Sequence, residues 1–60
     1  MKKEYRIMRF EQIINNIQMS IDIADEIILE DVKNDLESLL SGLENKYDEF
    51  VRDEMEDNNE

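Results

Sequence analysis

The sequence predicts an all-α fold: a helical hairpin of two amphipathic helices that completes its core by pairing with a second copy into a four-helix bundle. Two observations predict the helices. The 60 residues contain no proline and a single glycine, Gly42, and proline and glycine are the residues that ordinarily break a chain into turns. The large apolar residues also recur every three or four positions, as one face of a helix requires. A third observation predicts the pairing. A chain this short buries only about 60% of its unfolded surface and needs a disulfide, a metal or another subunit to be stable. With neither cysteine nor histidine present, oligomerisation is the route that remains.

The first helix is read from Ile7, Phe10, Ile14, Ile17, Ile21, Ala24 and Ile28, which keep a strict three-four spacing. A strand competes for part of this segment. Ile17, Met19, Ile21 and Ile23 alternate with Gln18, Ser20 and Asp22, the pattern of a half-buried strand, with Arg6–Ile14 as its partner across Asn15-Asn16. The helical template accounts for seven apolar positions and the strand for four, so the helix is preferred. The second helix is read from Val32, Leu36, Leu39, Leu40, Leu43, Tyr47, Phe50 and Val51.

Periodicity alone does not place the turn, because the apolar stripe stays nearly in phase from Ile7 to Phe50. Glu30-Asp31 divides the chain into equal arms, with Asp31 as a helix cap. A break near residues 20–22, with Asp22 opening the second helix, is the alternative, and Ser41-Gly42 is a third. An unbroken helix would stack Asp22, Glu26 and Glu30 on one face, at a cost of a few tenths of a kcal/mol per pair. The preferred turn is near residue 30. Residues 1–56 are expected to form one helical domain, and 57–60 a frayed acidic tail.

Two helices cannot enclose a stripe that also includes Ile13, Ile27, Leu29 and Leu39, so one flank of a lone hairpin stays apolar. A homodimer closes it most simply. The residues expected in the core and dimer contact are Ile7, Phe10, Ile14, Ile17, Ile21, Ile28, Leu36, Leu40, Leu43, Tyr47 and Phe50.

Charge sets the functional expectation. Seventeen acids against seven bases give a net charge of −10. The imbalance is uneven: residues 1–10 sum to +3 and residues 11–60 to −13. Phosphates would be repelled by the body of the chain, which disfavours direct binding to nucleic acid. A basic surface on a larger protein is the natural complement. The expected contact is an acidic face: Glu37, Glu44 and Asp48 on one flank of the second helix, with Asp35, Glu49 and Asp53 along its far side. The chain is therefore read as an interaction module that modulates a larger protein as an inhibitor, adaptor or antitoxin-like partner. One alternative is a DNA mimic that fills a basic nucleic-acid cleft, since duplex DNA carries one charge per ~1.7 Å. Another is a purely structural subunit whose partner is itself.

Enzymatic chemistry is not expected. There is no histidine or thiol for acid–base or nucleophilic work, no glycine-rich phosphate loop and no nucleophile elbow. Asp22, Asp25, Glu26, Glu30 and Asp31 supply oxygen ligands for a hard cation, but the glycine of a calcium loop and a Glu-x-x-His pair are both missing. They read as a solvated face, and no metal or cofactor is expected. The basic stretch Lys2, Lys3, Arg6 and Arg9, with Ile7 and Phe10 among them, has some character of a membrane-surface helix. Its apolar residues are already needed by the core, so a soluble first turn is the plainer reading. Met8, Met19, Met55 and Ile23 fall off the main stripe and are secondary contact candidates. No uninterrupted apolar run follows Lys2-Lys3, so neither export nor a membrane span is expected, and the default location is cytoplasmic.

Overall fold

The computed structural model describes residues 2–56 as two helices folded back on each other: α1, Lys3–Glu26, and α2, Glu30–Glu56. The segment expected to fray, residues 57–60, lies outside the described residues. No strand occurs among the described residues. The alternating segment 17–23 lies inside α1, where its isoleucines divide between two sides of the helix.

The chain turns at Ile27-Ile28-Leu29, just ahead of the Glu30-Asp31 pair. No residue there is a usual turn former, and the backbone makes the turn instead. The amide of Leu29 donates to the carbonyl of Ala24 at 2.8 Å, and that of Ile28 to Asp25 at 3.1 Å. This nested pair is the Schellman ending of a helix, which needs a left-handed residue just past the cap. Ile28 takes that conformation with φ 61°, where a β-branched side chain meets its own backbone and glycine would not. Ile28 is accordingly pushed outward and is 76% exposed. It was expected in the core stripe, and its place at the turn removes it. Leu29 then opens α2 through its carbonyl, which accepts from the Lys33 amide at 2.9 Å. Glu30 and Asp31 occupy the first turn of α2, where carboxylates favour the positive end of the helix dipole. The break also parts Glu30 from Asp22 and Glu26, so these three acids do not share a helix face.

The seam between the helices is formed on α1 by Ile7, Phe10, Ile14, Ile17, Ile21 and Ala24. Leu36, Leu40, Leu43, Tyr47, Phe50 and Val51 form it on α2. All of these are half-buried except Ala24, which is the single fully buried apolar residue among those described. At the open end the Phe10 ring meets Tyr47 edge-on with centroids 5.4 Å apart, and lies 5.4 Å from Phe50. Each such aromatic pair contributes about 0.5–1.5 kcal/mol beyond its buried area. The Arg6 guanidinium stacks 5.0 Å above Phe50 and closes that end. Val32 and Leu39 were expected in the stripe but stay 44% and 48% exposed, because they sit on its edge. Gly42 is an ordinary position within α2, with open space where a Cβ would stand.

Candidate functional site

Every seventh residue of a helix returns to nearly the same side, since two turns take about 7.2 residues. That period, with the contacts between the helices, assigns the residues beside the seam to two opposite flanks. Arg6 reaches Glu54 at 3.3 Å and stacks on Phe50, which marks one flank. The Tyr47 hydroxyl donates to the Glu11 carboxylate at 2.5 Å, and Lys33 donates to Asp25 at 2.8 Å, which together mark the other.

The flank marked by Glu11 and Asp25 is acidic. On α1 it carries Glu4, Glu11, Asp22 and Asp25, and on α2 Glu30, Glu37, Glu44 and Asp48, all exposed. Lys33 is the cation among them. Midway along, a shallow open groove is lined by Glu11, Ile14, Asn15, Glu44, Asn45, Tyr47 and Asp48. Glu11 holds the Tyr47 phenol through the hydrogen bond and its negative charge, and both raise the phenol above its usual value of 10.0. Lys33 is raised above 10.5 chiefly by its hydrogen bond to Asp25, then by that carboxylate's charge. Both groups hold their protons more tightly because carboxylates surround them.

The flank marked by Arg6 is different. The seven-residue series Arg6, Ile13 and Ser20 on α1, continued by Ile27 at its C-cap, faces the same way as Val32, Leu39, Lys46 and Asp53 on α2. Ile13 is 51% exposed and Ile27 58%, and with Val32 and Leu39 they make an apolar patch that runs from the middle of this flank to the turn. Arg6, Lys46, Glu49 and Asp53 charge its open-end half, and Asp31 and Asp35 border the patch on α2. Ser20 keeps its hydroxyl on the carbonyl of Asn16 at 3.0 Å, so it presents little free polarity.

Of the acidic residues expected to bind a partner, Glu37, Glu44 and Asp48 lie together on the acidic flank. Asp35, Glu49 and Asp53 are exposed as well, but face the other side of α2, toward the apolar flank. Sequence reasoning missed the contribution of α1. Glu11 and Asn15 join Glu44 and Asp48 only because the helices run antiparallel. The recurrence of an acid at Glu4 and Glu11 was the available signal. Among the described residues, no group of three potential ligands stands close enough to hold a metal ion. No helix described is long and apolar enough to cross a membrane. Compared with known proteins, the chain matches no family model, no curated sequence and no solved structure.

Proposed function

We propose that this chain is a protein-binding module whose acidic flank docks on a basic site of a larger protein and modulates it. The observation that carries this reading is the sorting of charge: both helices send carboxylates to one flank, whereas on the other they come from α2 alone and stand across from Arg6 and Arg9 of α1. Glu11, Glu37, Glu44 and Asp48 form a continuous field with Lys33 as its counter-ion. A one-sided field of this kind steers association with a basic surface and sets its salt dependence. Along each helix the flank's carboxylates recur about every 10 Å, the rise of seven residues. That is several-fold sparser than duplex phosphates, so imitation of DNA is the less supported reading.

The test is capture from a host lysate, run in parallel with the parent protein and with the triple variant Glu37→Gln, Glu44→Gln and Asp48→Asn. The three positions stand outside the seam, so the variant is expected to keep its helicity. A basic protein held by the parent at low salt, released at higher salt and lost with the variant supports the reading. Identical captured sets for the two proteins contradict it.

A further inference from the structure

The apolar flank has its own geometry, and it does not depend on what the acidic flank binds. We propose that the flank carrying Ile13, Ile27, Val32 and Leu39 is the interface with a second copy of this chain, in a two-fold dimer whose turns lie at the same end.

Exposure argues for a partner on this face. Ile13, Ile27, Val32 and Leu39 lie side by side at 44–58% exposure, an apolar surface contributed by both helices of the kind that contact sites bury.

Charge selects the second copy and its direction. The α1 side of the flank carries Arg6 and Arg9 at the open end and no carboxylate, while α2 carries Glu49 and Asp53 at the same level and Asp31 and Asp35 near the turn. A two-fold axis along the hairpin sets each α1 against the partner's α2, running antiparallel to it. Arg6 and Arg9 then face the partner's Glu49 and the partner's Asp53, and the turn-end halves meet each other with Asp31 and Asp35 set against a partner α1 that carries no carboxylate on this flank. A two-fold axis across the hairpin sets α2 against α2. Glu49 and Asp53 would then face the partner's acids near the turn, and the arginines would cover isoleucines. The same-end arrangement is complementary where the other is repulsive. It also groups the two strained Ile28 side chains at one end, where apolar surface becomes useful.

The chain has no cysteine of its own, so a spin label can be placed by a single substitution. Glu30→Cys puts it beside the turn on the acidic flank, away from the proposed contact, and circular dichroism checks that the helices persist. Double electron–electron resonance on the labelled full chain at micromolar concentration is expected to give one distance below about 30 Å, the width of a four-helix bundle with its labels. A distance near 40 Å, about the length of α2, would mean that the turns lie at opposite ends and would overturn the arrangement. No intermolecular distance, with a monomer mass in sedimentation, would overturn the dimer itself.

Discussion

The two flanks of this hairpin belong to the same helices and border the same seam, yet one takes carboxylates from both helices and the other takes isoleucine, leucine and valine from both, with carboxylates from α2 alone. The difference lies in which residue stands one position to either side of the core in each heptad. Glu4, Glu11 and Asp25 stand on one side of α1, and Arg6, Ile13 and Ile27 on the other. A core this thin cannot be judged by the seam alone. The apolar flank extends the core outward, whereas the acidic flank limits it. Substitutions on the two flanks should therefore report different things, stability and self-association on one, long-range charge on the other.

The largest effect is expected at the seam, which scales both flanks. Ile17→Asp or Leu40→Asp places an unpaired carboxylate between the helices and should remove on the order of 3 kcal/mol. Helicity and dimer should be lost together, as read by circular dichroism and sedimentation. A helical protein of unchanged mass would show that the seam is not the core.

The turn comes next, because it orients both flanks. Ile28→Gly removes the left-handed strain at φ 61° and should stabilise the hairpin by about 1 kcal/mol in denaturant titration. A loss of stability would show that the exposed Ile28 side chain makes contacts that outweigh its strain, as the same-end dimer allows.

The acidic flank should show itself in alkali. Tyr47 and Lys33 hold their protons above their usual values of 10.0 and 10.5 in the folded chain. Their contribution is complete below those unfolded values and is lost as pH rises through the raised folded ones. The hairpin should therefore weaken above about pH 10. In a Tyr5→Phe background, Glu11→Gln should bring the Tyr47 titration back down toward the ordinary phenol value. An unchanged ultraviolet titration would mean that the Glu11 contact does not persist in solution.

The smallest effect is that of salt on the melting temperature. Asp31 and Asp35 repel along α2, and Glu44 and Asp48 crowd Glu11, while the ion pairs found are Arg6–Glu54 and Lys33–Asp25. Screening relieves more repulsion than it removes attraction, so added salt should raise the melting temperature by a few degrees. A falling melting temperature would mean that the ion pairs dominate.

The helices and their seam were legible in the sequence because the period of three and four runs unbroken through Ile7–Ala24 and Leu36–Val51. The turn was legible only to within a few residues. Glu30-Asp31 advertised a helix start, but Ile27-Ile28-Leu29 carries no turn residue. What decides there is a backbone hydrogen-bond pair that an apolar tripeptide does not announce. Ile28 was misplaced for the same reason, since its spacing is that of the stripe. The acidic site was half legible. Glu37, Glu44 and Asp48 share a side of one helix and can be counted along the chain. Glu11 and Asn15 reach them only across the antiparallel packing, which one-dimensional periodicity does not contain.

The most direct test of the division between the flanks is sedimentation equilibrium on three proteins side by side: the parent, Leu39→Asp, and the triple Glu37→Gln, Glu44→Gln, Asp48→Asn variant. The parent and the triple variant are expected at twice the chain mass of 7.2 kDa, and Leu39→Asp at the mass of one chain. A single mass shared by all three, or dissociation of the triple variant with Leu39→Asp still paired, would contradict the assignment of the flanks.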